Sequence, residues 1–114
     1  CIIVKDGQII SDGYNGTPTG FDNTCEYTNI DADGYEVLST KPEVLHAESN
    51  CIAKLAKSTN SSVGSTLYTT MSPCYECAKL IIQAGIARVV YAEIYRNLDG
   101  VTLLRRSNVG VYQI

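Results

Sequence analysis

Hydrophobic and polar positions fall into short blocks along the chain, and the period of each block suggests an element. Ile2-Ile3-Val4 and Ile9-Ile10 are β-branched runs on either side of Lys5-Asp6-Gly7-Gln8, an Asp-Gly hairpin signal. From Asp12 to about Leu38 the chain is rich in Gly, Asn, Asp, Thr and Tyr with no sustained period, which reads as a long loop. Lys41-Pro42-Glu43 then leads into apolar positions Leu45, Ile52, Leu55 and Ala56, with small Ala47 and Ala53, predicting a helix from roughly Val44 to Lys57. A polar break at Ser58–Ser65 precedes Thr66–Met71, a strand by composition. Ser72-Pro73 stops that strand, Cys77–Ala84 reads as a second helix ended by Gly85, and Arg88–Ala92 as a buried strand. A short helix over Thr102–Ser107 and a final strand over Val109–Ile114 complete the pattern. The order predicts one α/β domain over residues 1–114. It has three layers, a mixed sheet of about five strands with helices on both faces.

Composition narrows the class. The 114 residues are 45% hydrophobic and 18% charged, with 9 Gly and 3 Pro, an ordinary core-forming balance that excludes disordered and collagen-like chains. No apolar run is long enough to span a bilayer, so no membrane partner is expected. The net charge of −3 argues against a protein that holds nucleic acid chiefly by neutralising phosphates. Five cysteines make an odd count that fits a disulfide framework poorly, and a cytoplasmic setting with metal-binding or catalytic thiols is the better expectation. Cys1 opens directly on an apolar run, which reads as a chain entered inside an element with an N-terminal element missing.

The informative chemistry lies in His46-Ala47-Glu48 and Pro73-Cys74-Tyr75-Glu76-Cys77. Two thiols three residues apart at a helix start can converge on one ion, and the helix N-terminus favours them as thiolates. His46 supplies a third ligand from the start of the other helix. Three protein ligands leave a fourth position open on Zn²⁺, the arrangement of a catalytic site, where bound water has a pKa near ~7. Glu48 can reach that water as a proton carrier without binding the metal. The plainer readings are a redox pair or a structural zinc closed by Cys1, Cys25 or Cys51. Taken together, His-x-Glu and Pro-Cys-x-x-Cys match the signature of the zinc nucleobase deaminases.

With these motifs the chain resembles the deoxycytidylate (dCMP) deaminases of phage or bacterial type, within the cytidine deaminase-like superfamily. Supporting stretches are Gly13-Tyr14-Asn15-Gly16-Thr17-Pro18, Pro42 to Asn50, Thr66-Leu67-Tyr68, Pro73 to Lys79, Gly85-Ile86 and Val89-Val90-Tyr91, in family order over nearly the whole chain. The resemblance implies a single zinc-dependent deaminase domain that binds one Zn²⁺ per chain through His46, Cys74 and Cys77. It implies hydrolytic attack at C4 of the cytosine ring, proton transfer by Glu48, and release of ammonia and dUMP for thymidylate synthesis. Asn15 matches a substrate-contacting asparagine and Tyr95 a tyrosine near the bound nucleotide. Many family members are hexamers activated by dCTP and inhibited by dTTP. The loop from Asp12 to Glu26 matches their effector region, and a triphosphate would bring Mg²⁺. Lys57 reads first as a lysine favourable to the helix dipole at a helix end and is also a candidate to couple effector or subunit to the site. The family also suggests cytoplasmic action, in the host if the chain is phage-encoded. Some relatives carry a second zinc, and Cys25 aligns with one of its ligands, but no histidine remains for such a site here.

The zinc motifs alone also admit a tRNA adenosine deaminase, a deaminase of free nucleosides or bases, and a non-catalytic zinc assembly module. The acidic balance and the Gly-Tyr-Asn-Gly loop speak against the first, and Glu48 against the last. Arg88, Arg96, Lys54, Lys57, Arg105 and Arg106 are all candidate phosphate partners.

Overall fold

The computed structural model describes residues 1–114. Strand β1 (Ile2–Lys5) turns through Asp6 and Gly7, both at positive φ, into β2 (Gln8–Asp12). This is the backbone an Asp-Gly hairpin turn needs. A second hairpin, β3 (Glu26–Ile30) and β4 (Glu36–Thr40), follows. Then come helix α1 (Ala47–Leu55), strand β5 (Thr66–Met71), helix α2 (Tyr75–Gln83) and strand β6 (Arg88–Glu93). Helix α3 (Asp99–Arg106) and strand β7 (Gly110–Gln113) close the order. The main sheet runs β2-β1-β5-β6-β7, antiparallel across β1–β2 and β1–β5 and parallel from β5 to β7.

The register lines up Ile3, Leu67, Val89 and Val111 as one row of directly paired residues. All four are buried, and they share a core with Cys51 and Leu55 of α1, Ala78 and Ile81 of α2, and Val101 and Leu104 of α3. The three helices therefore cover the same sheet face, since side chains at i and i+2 of a strand share a side. On the opposite face the row Ile2, Tyr68, Val90 and Tyr112 is only partly covered. The mixed five-stranded sheet is as expected, but residues 1–114 do not contribute the helices expected on that second face. Parallel neighbours β5, β6 and β7 progress in one direction, and right-handed crossovers then put α2 and α3 on one side.

Element boundaries differ in instructive ways. The region read as a loop contains β3 and β4, built around Asp33-Gly34, where Asp31 Oδ1 accepts from the N–H groups of Asp33 and Tyr35. All ten strand residues are exposed, so no hydrophobic alternation marks them. Helix α1 is shorter than its apolar period, because Leu45 is engaged in a backbone bridge with Gly16 and His46 stays extended. Lys57 consequently lies in the turn after α1, not within it. Helix α2 begins earlier than expected, at Tyr75, and Gly85 follows its C-cap at φ 75. Helix α3 likewise begins earlier, at Asp99.

Candidate metal centre and active site

The site lies at the carboxyl ends of β5 and β6, where the sheet changes direction because β5 has β1 on one side and β6 on the other. His46 is the N-cap residue of α1, and Cys74 is the N-cap residue of α2. Both helices thus present their N-termini to one point, and Cys77 adds the second thiol one turn into α2. The ligand atoms of His46, Cys74 and Cys77 all lie within 4.8 Å of one another, and His46 Nδ1 is 3.4 Å from each sulfur. The Cys74 sulfur also accepts from the Cys77 backbone N–H at 3.5 Å.

Electrostatics indicate what this cluster can bind. Burial, then the Glu48 carboxylate and Cys74, push the Cys77 thiol far above the ordinary thiol range. A helix N-terminus stabilises an anion by only about 0.3–1 kcal/mol, so it helps this buried thiol ionise but does not suffice by itself. A divalent cation would reverse the balance, because coordination deprotonates a thiol outright. One imidazole nitrogen and two sulfurs also suit borderline-soft Zn²⁺ in kind and number, and leave a coordination position open.

Glu48, the second residue of α1, is buried beside the cluster, and its Oε1 accepts from the Thr69 hydroxyl at 2.6 Å. Asn15 arrives from a distant loop, and its Oδ1 accepts from the Ala47 N–H at 2.8 Å. It thereby satisfies one of the donors that a helix start leaves open, since the His46 side chain makes no cap. Tyr95 meets the His46 ring edge-on with centroids 6.4 Å apart. Asn15, His46, Glu48, Cys74 and Tyr95 line one cavity of about 110 Å³. A neighbouring cavity of about 300 Å³ shares His46, Cys74 and Tyr95 and adds Arg96, whose guanidinium sits 5.1 Å over the Tyr95 ring. Lys57 is not brought to this place. It lines a larger cavity of about 520 Å³ formed by α1, Gly13–Gly16 and the following loop, which none of the metal-cluster residues touch.

Several residues that hold the site carry little signal in the sequence. Ser72, 2% exposed, accepts from the Tyr95 N–H at 2.8 Å while its own N–H donates to the Glu93 carbonyl, fixing the β6 exit to the β5 exit. Gly100 presses the start of α3 onto the Pro73-Cys74 segment that leads into α2, where a Cβ would lie 2.1 Å from the Pro73 carbonyl oxygen. Gly13 does the same to α1, with a Cβ 2.6 Å from the Ala47 oxygen. Thr69 is polar at an inward-facing strand position, a detectable anomaly once the strand phase is known. The spare cysteines lie elsewhere: Cys51 is in the core, and Cys25 sits beside Asn23 at the foot of the second hairpin.

An α/β domain with helix starts converging an imidazole, two thiols and a carboxylate defines the class of zinc-dependent nucleobase deaminases. Residues 1–93 match the family model described as the cytidine and deoxycytidylate deaminase zinc-binding region, and the chain belongs to this family. It is 32% identical to the deoxycytidylate deaminase of Enterobacteria phage T4, over 99% of this chain and 77% of that one. The human deoxycytidylate deaminase is 38% identical over 92% of this chain, which spans 58% of the human protein. The crystal structure of the dCMP deaminase from cyanophage S-TIM5, in complex with dCMP and dUMP, matches with a TM-score of 0.87 at 46% identity. That match covers 99% of this chain and 78% of the other. No helix is long and apolar enough to cross a membrane.

Proposed function

We propose that the protein deaminates dCMP to dUMP and ammonia by zinc-dependent hydrolysis. The observation that carries the reading is a buried carboxylate, Glu48, lining the same cavity as His46 and Cys74, two donors of the three-residue metal cluster. The name and bound nucleotides of the cyanophage relative favour dCMP over other cytosine compounds. His46, Cys74 and Cys77 hold one Zn²⁺. When bound, the ion supplies a Lewis acid that makes water acidic near neutral pH. Glu48 takes one proton from water as its oxygen adds to C4 and passes it to N3. It then takes the second proton from the new C4 hydroxyl and gives it to the departing amine as the C4 carbonyl forms. The C4–N bond breaks and ammonia leaves.

The remaining residues orient the substrate. Asn15 commits its oxygen to the start of α1, so its amide nitrogen is the group available to a substrate hydroxyl. Tyr95 walls the base on the His46 side. Arg96, in the adjoining cavity, receives the phosphate through its guanidinium fork. The cavity bounded by Lys57 and the Gly13–Gly16 strap suits a nucleoside triphosphate, and dCTP and dTTP are the effectors the resemblance suggests.

The test is a panel of dCMP, cytidine, dCTP and single-stranded DNA followed by ammonia release. The expected result is turnover of dCMP well above the others, with one dUMP per ammonia. If dCMP is inert while cytidine or DNA reacts, the substrate assignment fails. Adding dCTP or dTTP to the dCMP reaction tests the effector cavity, and identical rates in their presence and absence would remove it.

A further inference from the structure

We propose that Thr69 is a positioning residue, which fixes the Glu48 carboxylate so that one oxygen is anchored and the other faces the reaction. The proposal rests on Glu48 being the proton carrier. Thr69 is in central strand β5, two residues beyond Leu67 and therefore on the helix-covered face, directly under the start of α1. Its hydroxyl donates to Glu48 Oε1 at 2.6 Å, the length of a charge-assisted O–H···O⁻ bond. Both residues are nearly sealed, with Thr69 at 9% and Glu48 at 8% exposure. A threonine is well suited to this, because its branched Cβ leaves few χ1 choices on a strand and its single hydroxyl proton has one target.

Thr69 is the only N–H or O–H donor to the Glu48 carboxylate, the Cys77 thiol being its other polar neighbour, and the chain contains no sealed and unpaired side-chain oxygen. Oε2 is therefore the oxygen open to the cavity that His46, Cys74 and Glu48 share. A carboxylate with one oxygen tied down is restricted about its last torsion, which otherwise is broad and roughly two-fold. Proton transfer needs the acceptor within about 2.6–3.2 Å of its target, so removing the restraint lowers the fraction of productive orientations. Binding of the base does not require that orientation. The loss falls on kcat and not on KM.

The experiment compares wild-type enzyme with Thr69→Val, Thr69→Ser and Thr69→Ala, measuring kcat and KM for dCMP alongside zinc content and melting temperature. Thr69→Val keeps the shape and removes the donor. It is expected to lower kcat by roughly tenfold or more, in line with the worth of a hydrogen bond to a charged group, with KM and zinc content near wild type. Thr69→Ser restores the donor and should recover most of kcat. A Val variant at wild-type kcat, or a Ser variant as slow as Val, overturns the proposal. If Val does not fold, the Ser and Ala pair decides: equal kcat in the two overturns it, and a faster Ser supports it. Absence of dCMP turnover by zinc-loaded wild type would instead defeat the reading on which the proposal rests.

Discussion

The chain contains two hairpins built by the same local chemistry and put to opposite uses. Each has an Asp-Gly turn with Gly at positive φ, joining strands of four or five residues. The first is bonded through β1 to β5, buries Ile3 and Ser11, and meets α1 through the Ser11 hydroxyl, which donates to the Cys51 carbonyl at 2.7 Å. In the second, every strand residue is exposed, including Ile30 and Leu38. Residues 21–40 carry Asp22, Glu26, Asp31, Asp33 and Glu36 with no lysine or arginine. Turn residues specify the hairpin, but neighbours decide what it is worth. A two-stranded ribbon alone is marginal in water, and only the first hairpin gains a third strand and a helix.

The functional groups lie on the buried side of this contrast, and the largest effect should be seen there. Glu48→Gln is expected to reduce dCMP turnover by about 10²–10⁴-fold while zinc content, measured by metal analysis, stays near one per chain. A Gln variant that keeps full activity would move the proton chemistry elsewhere. The hairpins themselves come next. Ile3→Ala in β1 should cost about 2–5 kcal/mol in denaturant unfolding, since Ile3 is fully buried in the row shared with Leu67.

Close packing beside the site gives an intermediate test. Gly100→Ala forces a methyl into the Pro73 carbonyl, with an expected loss of about 1–3 kcal/mol and weaker zinc retention on dialysis. Intact retention would mean that α3 can shift without moving Cys74.

Buried thiols give the comparison a pH signature. Cys77 and Cys51 both titrate above the ordinary thiol value because burial penalises the thiolate. Folding therefore keeps their protons where the unfolded chain releases them. Their contribution is full below the unfolded thiol pKa and declines as pH rises through it, by at most about 1.4 kcal/mol per pH unit for each group. Metal-free protein should lose melting temperature from pH 8 to 10 more steeply than its Cys77→Ala variant. Equal slopes would mean that Cys77 is not desolvated. The smallest effect belongs to the second hairpin: Ile30→Ala should change stability by no more than about 0.5 kcal/mol. A larger loss would show that β3 is covered by something in solution.

Much of the site could be read in advance because its ligands are close in sequence and chemically rare. The only histidine, a neighbouring glutamate and a Cys-x2-Cys at a helix start leave few other arrangements for the metal donors. Strand β5 was legible to the residue, since Thr66–Met71 is β-prone and bounded by Ser72-Pro73. The second hairpin was not, because exposed strands need no hydrophobic alternation, although Asp33-Gly34 was a usable turn signal. The hydrogen bonds from the Ala47 N–H of α1 to Asn15 and from Thr69 to Glu48 span 32 and 21 positions, and no local pattern encodes them.

The sequence by itself determined the donor types, the helices and strands with buried faces, and the turns, because each depends on residues a few positions apart. Tertiary structure alone decided the rest. It placed all three helices on one sheet face, left Lys57 on a cavity away from the metal cluster, and set Thr69 beneath Glu48. Those outcomes follow from strand order and crossover hand, which bring distant residues together only once the sheet has assembled. The lone histidine and the paired cysteines define what the site can bind, and the packing of α1 and α2 on β5 brings them within reach of one ion.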